Sequence, residues 1–547
     1  MSGPVRVIAL GGLGEVGRNI TVVEQGDDLI IIDCGISFPR EEGHLGADIV
    51  LPDVSYLAER QHAIRGLVLT HGHEDHIGAV PYVLRDLEIP AVWATRFTLG
   101  LVKAKADEFG LINATQWNEI RPDDDPIQIG PFELEFIRVA HSIPDCVAIA
   151  VHTDQGTLVH SADIKLDASP LDGIQTDLGA FAELGSEGVA LYMGDSTNAD
   201  IPGHTKSERS VAGPLRDIFG RSDGRIIACC FSSHIHRLQQ FIDIAQEHGR
   251  AVCILGRSMT RNTNIARNLG YMDLGGAKLV KPQQIGDIDP DKLLVLCTGS
   301  QGEPLAAMSR IAWGTHPHVS PSPDDTFIFS SRTIPGNDIR VHRVINQLSR
   351  IGAQIVHSDI AHVHVSGHGA SEELKTLLQL IRPTSFMPIH GEWRHMRAHA
   401  QLGRMVGIPE ESIIITDNGT VVEVRDGAAH ATDEFVHVGQ HLVDRASNEH
   451  ILEEVLEDRQ QASGDGLLVV VAHRRSGELE VIARGVQDDD GLLIDEARAA
   501  AETQMSADEG ALLPAGELEA SVREAVASSV WDATRRSPLV VPIVLGD

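Results

Sequence analysis

Positive charge and aromatic side chains are both scarce in this chain. Lys and Arg number 45 against 78 Asp and Glu, a net charge of −33, and Phe, Trp and Tyr make up 4% of 547 residues. A general basic coat for nucleic acid is thereby excluded. A local positive channel is not, because total charge says nothing about its distribution. Part of the acidic excess is terminal: residues 446–547 carry 21 Asp and Glu against 8 Lys and Arg. The six cysteines are scattered without a C-x-x-C pair, and four fall in apolar strand-like runs. Buried free thiols explain them better than disulfides. No run of 18 apolar residues occurs, so no membrane span is expected. Residues 1–7 lack the charged and apolar regions of a signal peptide, and the expected location is cytoplasmic. The length predicts two to four domains.

Against these absences stands one dense cluster, His71-Gly72-His73-Glu74-Asp75-His76. It follows an aliphatic, partly β-branched run at 64–70 that reads as a buried strand, and precedes a helical stretch at 77–84. The ligand-type side chains therefore sit on a strand-to-helix loop, where close neighbours can converge from different directions. Imidazole suits zinc or manganese, and carboxylate fits both. The bland alternative is a solvated, histidine-rich loop with loose metal affinity.

Gly12, Gly14 and Gly17 satisfy G-x-G-x-x-G, with Glu24 and Asp33 roughly where a ribose-binding acid would stand. A dinucleotide site needs a crossover helix after the glycines. Here the chain runs instead into strands at 19–24 and 29–33, a β-meander, so the glycines read as turn residues. Asp33 ends the third strand, where it serves either as an outer partner that orients a ligand imidazole or as a turn former. Further on, His141, Asp163 and His390 each lie just beyond a strand-like run, and strand ends on one sheet edge converge in space.

The segment 206–369 alternates strands (225–230, 251–255, 293–296, 326–329 and 354–356) with helices such as 235–248 and 339–351. This predicts a parallel α/β domain inserted into the first. Its strand ends carry Ser232, Ser233, His234, Arg257, Ser258, Ser330, Ser331 and Arg332, which suit phosphate. After it come a helix at 372–381, a strand at 384–389, a helix to about 406, and strands near 413–415 and 421–424. A charged stretch at 447–466 reads as a helical linker. Residues 467–547 read as β-β-α-α-β without a catalytic constellation, an association module rather than an active site.

Taken in order, His71-x-His73-x-Asp75-His76, His141, Asp163 and His390, with Asp33 upstream, resemble the ligand set of the metallo-β-lactamase fold. The insertion resembles the β-CASP domain of nucleic-acid-processing members. Asp195 in Gly-Asp-Ser-Thr-Asn, His368 and His390 match that group's three motifs, and a histidine at the third is associated with RNA-processing members. Gly-Gly-Leu-Gly-Glu-Val-Gly-Arg-Asn, His-Val-Ser-Gly-His-Gly and Pro-Ile-His-Gly-Glu are similar to the bacterial ribonuclease J family over essentially the whole chain. One departure is Ala162, where a glycine commonly precedes the aspartate; we expect it to leave Asp163 in place.

The resemblance implies an α/β chain: an αββα sandwich formed by 1–205 and 370–446, a β-CASP domain at 206–369, the linker at 447–466 and a small α+β domain at 467–547. It implies two zinc ions per subunit, with manganese as the alternative: one held by His71, His73 and His141, the other by Asp75, His76 and His390, with Asp163 between them. Asp75 would also orient the nucleophile, and His368, backed by Asp195, would serve the leaving oxygen. Substrate would be single-stranded RNA, digested 5′ to 3′ from a 5′-monophosphate end and also cut internally, in RNA maturation and decay. The end-phosphate pocket would comprise Ser233, His234, Ile235, His364, Val365, Ser366, Gly367 and His368. A channel lined by Arg257 and Arg332 would lead RNA in. A structural calcium near Asp48 and Asp444, a homodimer or homotetramer, and partners among other RNA-degradation proteins are further expectations. The competing readings are a DNA nuclease of the same superfamily, against which His390 leans, a hydrolase of a small thioester or lactone, and a scaffold whose site has decayed.

Overall fold

The computed structural model describes residues 3–39, 46–47, 49–334, 336–444, 449–488, 491–506 and 513–546. The chain divides into two compact units, residues 1–42 with 49–441, and residues 43–48 with 442–547.

The larger unit begins with the meander. Val5–Gly11, Ile20–Gln25 and Asp28–Ile32 pair antiparallel in succession, and no helix intervenes between the glycines and the second strand. Gly12, Gly14 and Gly17 all have φ between 72° and 105°, a region open to glycine. The cofactor reading therefore fails on topology. These strands join Ile64–Leu69, Ala91–Ala94, Gln116–Glu119, Thr420–Arg425 and Ala428–Phe435 in an eight-stranded sheet. A six-stranded sheet of Ile127–Ile129, Phe132–Val139, Cys146–His152, Thr157–His160, Val189–Asp195 and Ser385–Ile389 faces it. One apolar core fills the space between, with Val7, Val23, Ile30 and Val68 meeting Phe132, Leu134, Ile149, Val151 and Leu191. Burial alternates over the first five residues of Phe132–Val139, with Phe132, Leu134 and Phe136 in the core and Glu133 and Glu135 turned outward. The result is the αββα sandwich that the resemblance implied.

The insertion is a five-stranded, wholly parallel sheet in the order Ala251–Leu255, Leu293–Cys297, Ile226–Cys229, Thr326–Phe329, Gln354–Val356. Its three central strands are buried throughout, as a sheet covered on both faces requires. Arg237, in the first turn of the helix Ile235–Glu247, is fully buried. It forks onto Glu208 at 2.6 and 2.9 Å and donates to the Val363 carbonyl at 2.7 Å. The insertion is thereby tied to the segment leading back to the sandwich.

Three local readings need correction. The stretch 77–84 is not one helix: a single turn, Glu74–Ile77, is followed by Val80–Asp86. Near 413–415 there is only an isolated bridge between Phe386 and Ile413. A strand at Ala428–Phe435, poor in β-branched residues and mostly exposed, forms because it pairs with Thr420–Arg425; pairing, not propensity, decides it.

The smaller unit contains Leu467–His473 antiparallel to Leu479–Arg484 and parallel to Leu539–Leu545. Helices Leu492–Ser506 and Ala515–Thr534 close its core through Leu493, Ala497, Val522 and Val526. All six cysteines are buried and free. Among the described residues no helix is long and apolar enough to cross a membrane.

Candidate metal centre

His71 and His73 lie on the loop after Ile64–Leu69, while Asp75 and His76 ride on the helical turn that follows. His141 follows Phe132–Val139, Asp163 lies three residues beyond Thr157–His160, and His390 directly follows Ser385–Ile389. These strand ends meet at one edge. Ligand-type atoms of His71, His73, His141 and Asp163 gather in one nest, and those of Asp75, His76, Asp163 and His390 in a second; within each, all lie within 4.8 Å of one another.

The separations fit cations. His73 Nδ1 stands 3.1 Å from His71 Nε2 and 3.0 Å from His141 Nε2, and Asp163 Oδ2 lies 3.5 and 3.4 Å from those two Nε2 atoms. In the second nest Asp163 Oδ1 is 3.3 Å from His76 Nε2 and 3.5 Å from His390 Nε2, and Asp75 Oδ2 is 3.4 Å from His390 Nε2. A tetrahedral ion with bonds of about 2.0–2.1 Å holds its donors ~3.3 Å apart. Asp163 Oδ1 is buried and has no hydrogen-bond partner. Such an atom is costly unless something positive meets it.

Outer partners set four of the five rings, while His73 turns Nδ1 inward and its Nε2 lies 3.3 Å from Ser142 Oγ. The Gly367 carbonyl lies 2.7 Å from His141 Nδ1, and Thr197 Oγ1 lies 2.6 Å from His390 Nδ1. Asp33 serves two rings: its Oδ2 lies 2.7 Å from His76 Nδ1, and it accepts from Thr70 Oγ1, which contacts His71 Nδ1 at 3.0 Å. Placing protons on these Nδ1 atoms, as their acceptors require, turns the Nε2 lone pairs inward. Asp33 also has φ 61°, so both readings of it hold: it makes the turn and orients the rings.

The cluster draws positive charge. Burial opposes protonation of His390, but Asp163, Asp75 and Asp195 outweigh it and lift its pKa to about 9. His76 is raised likewise, burial being overcome by Asp163, Asp75 and Asp33. For His71 and His141 burial dominates and their pKa values fall. Burial raises the Asp163 carboxyl, yet His390, His76, His368 and His71 together hold it well below the usual range.

Ala162 departs from glycine at a price the sequence did not disclose. Its φ is 54°, a left-handed conformation that strains an alanine by on the order of 1 kcal/mol. Asp163 is nonetheless in place, with Ser161 Oγ accepting from the Asp195 amide at 2.9 Å.

Beside the nests, His368 Nδ1 lies 2.8 Å from Asp195 Oδ2, and His368 Nε2 faces Asp163 Oδ2 at 3.9 Å. Burial lowers the His368 pKa, but Asp195 and Asp163 outweigh it and raise it. Of the residues expected at a phosphate pocket, His234 is buried with neither ring nitrogen partnered, and His364 Nδ1 is also unpartnered. Glu208 approaches His234 only to 3.7 Å, too far for a hydrogen bond. Burial, then the charges of Arg237 and His364, depress the His234 pKa. Ser233 and Ser366 are half-buried. Ile235 and Val365 are buried, so only their backbones could meet a ligand. Arg332 donates to Asn198 at 3.1 Å, and Arg257 is exposed. Asp48 lies outside the described residues. Among those described, no convergent ligand group includes Asp444.

Thr70 carries no signal that sequence reasoning could rank, and Thr197 and Asn198 entered only as neighbours of Asp195 in Gly-Asp-Ser-Thr-Asn. The acceptor from Gly367 is a main-chain carbonyl, and only the glycine itself hints at the close approach: a Cβ there would lie 2.5 Å from His141 Cε1.

The sandwich, its inserted parallel domain and the paired nests define a metallo-β-lactamase-superfamily protein, and that superfamily's profile matches residues 13–211. The profile described as "Ribonuclease J, beta-CASP domain" matches 223–348, "Zn-dependent metallo-hydrolase RNA specificity domain" matches 354–413, and "Ribonuclease J C-terminal domain" matches 454–546. Ribonuclease J of Mycolicibacterium smegmatis is 40% identical over 99% of this chain and 97% of its own length. That of Thermus thermophilus is 39% identical over 99% and 95%. A solved Enterococcus faecalis protein of unknown function, 14% identical, covers 77% of this chain and 100% of its own with a TM-score of 0.53, a likeness of fold alone. The chain belongs to the ribonuclease J family.

Proposed function

We propose that the chain is a metal-dependent ribonuclease that hydrolyses single-stranded RNA at a two-cation centre, as a 5′-to-3′ exonuclease preferring 5′-monophosphate ends and as an endonuclease. Asp163 carries this reading. It turns one oxygen to each nest, 3.4 to 3.5 Å from His71 and His141 and 3.3 to 3.5 Å from His76 and His390. His71, His73, His141 and Asp163 would hold one ion, and Asp75, His76, His390 and Asp163 the other. Zinc suits their nitrogen and oxygen donors, with manganese the alternative. Two such ions supply Lewis acidity toward the phosphodiester and make water a nucleophile near neutral pH. Asp75 orients that water. His368, its proton favoured by Asp195 and its Nε2 facing the centre, gives a proton to the leaving 3′ oxygen.

The unpartnered nitrogens of His234 and His364, with Ser233, Ser366 and the amides of Val365 and Gly367, support a pocket for one terminal phosphate; the amides of Ile235 and His368 already meet the Ser233 carbonyl at 2.8 Å and Ser366 Oγ at 3.2 Å. The family resemblance supports Arg257 and Arg332 as the RNA path, a structural calcium at Asp48 and Asp444, and the domain division 1–205, 206–369, 370–446, 447–466 and 467–547. It also supports a homodimer or homotetramer and association with other RNA-degradation proteins. Exposed Ile543 and Leu545 in the C-terminal domain agree with an interface there. The free buried thiols agree with a reducing cytoplasm.

The test follows single-stranded RNA labelled at its 3′ end and bearing a 5′-monophosphate, 5′-hydroxyl or 5′-triphosphate. The monophosphate form should disappear processively from its 5′ end and the others more slowly. Equal internal cuts in all three would remove the end pocket and keep the metal chemistry. No cleavage by zinc-loaded protein would favour a small thioester or lactone as substrate.

A further inference from the structure

Asn198 stands at a junction that neither the ligand set nor the phosphate pocket accounts for. It is 3% exposed and follows the strand Val189–Asp195. Its Nδ2 donates to Ser366 Oγ at 2.9 Å and to the His368 carbonyl at 3.0 Å. Those groups flank Gly367, whose own carbonyl meets His141 Nδ1 at 2.7 Å. The other end of the amide, Oδ1, accepts from Arg332 Nη1 at 3.1 Å. The amide has one workable orientation, because a carbonyl can only accept and a guanidinium can only donate. Gly367 has little freedom, since its backbone lies directly against the His141 ring.

From this geometry we infer that Asn198 is a positioning residue for the metal centre and for the proton donor together. By gripping both sides of Gly367 it aims a carbonyl at His141 and fixes the backbone of His368. Arg332, on the inserted domain, sets the amide's orientation, so the inserted domain takes part in shaping a ligand in the sandwich. The inference rests on the metal-centre reading above. Thr205 Oγ1 also donates to the His368 carbonyl, at 2.7 Å, but it does not reach Ser366 and does not carry the Arg332 link.

Asn198→Asp is nearly isosteric, keeps the acceptor for Arg332 and removes both N–H donors. Outer partners of metal ligands typically contribute 10–100-fold to metal affinity. Asn198 acts one step further out, through Gly367, so the variant should lose zinc to a competing chelator at an affinity up to about tenfold below wild type. Its kcat on 5′-monophosphate RNA should fall at least tenfold, and KM should rise as well, because Asn198 also holds Ser366 of the proposed phosphate pocket. Arg332→Ala, a change at an exposed position, should shift zinc affinity in the same direction by a smaller factor. Far-ultraviolet circular dichroism and the melting temperature report folding. A folded Asn198→Asp protein with wild-type zinc affinity and kcat would overturn the inference. Should that variant not fold, Arg332→Ala decides: unchanged zinc affinity overturns the inference, and weakened affinity upholds it. Wild-type protein that binds no zinc would sink the metal-centre reading instead.

Discussion

Replacing His76 with alanine is expected to stop RNA hydrolysis and to lower bound zinc from the two ions per chain proposed above toward one. The imidazole Nε2 lies 3.3 Å from Asp163 Oδ1 and 3.7 Å from Asp75 Oδ2, and its Nδ1 lies 2.7 Å from Asp33. Its removal takes one donor from a nest of four and leaves three carboxylates facing a smaller positive charge. A three-donor remnant still binds weakly, but it no longer fixes the ion opposite Asp163. Loss of even an outer partner costs 10–100-fold in metal affinity or activity, so loss of an inner donor should exceed about a hundredfold. Zinc per chain by atomic emission, read beside the decay of labelled RNA, checks both parts. A variant that keeps full zinc and the wild-type rate would remove His76 from the centre.

His368→Ala should behave differently. Its ring belongs to neither nest of the proposed ion pair, standing 3.9 Å from Asp163 Oδ2 and anchored by Asp195 at 2.8 Å. The expected loss is in turnover, about 10²–10⁴-fold, the range for removing a positioned general acid, with zinc content unchanged. RNA carrying a better leaving group at the scissile bond should recover part of the rate, since it needs the proton less. Zinc lost together with activity would mean that His368 supports the metal, and would end its assignment as the acid.

The dense H-x-H-x-D-H run was legible because its residues lie within six positions. The strand-end partners His141, Asp163 and His390 were legible because short aliphatic runs locate strand ends, and one sheet edge gathers them. The parallel insertion showed in its repeating buried runs. Other features had no local signature. Thr197 reaches His390 only because Val189–Asp195 and Ser385–Ile389 are neighbours in one sheet. Asn198 and Gly367 meet across the whole insertion. The strand Ala428–Phe435 was invisible to propensity, since an edge partner created it. Near 413–415, three successive isoleucines suggested a strand where the chain makes one bridge; apolar content alone does not separate a ladder from a packed loop.

The parallel pairing of Val189–Asp195 with Ser385–Ile389 encloses the entire inserted domain. Chains leave the ribosome N-terminus first. A nascent chain therefore displays the six earlier side chains of the two nests long before His390 emerges and completes the second. An enzyme able to cut RNA is born beside its own message, and on the proposed ligand set this chain order withholds the second nest until most of that message has been read.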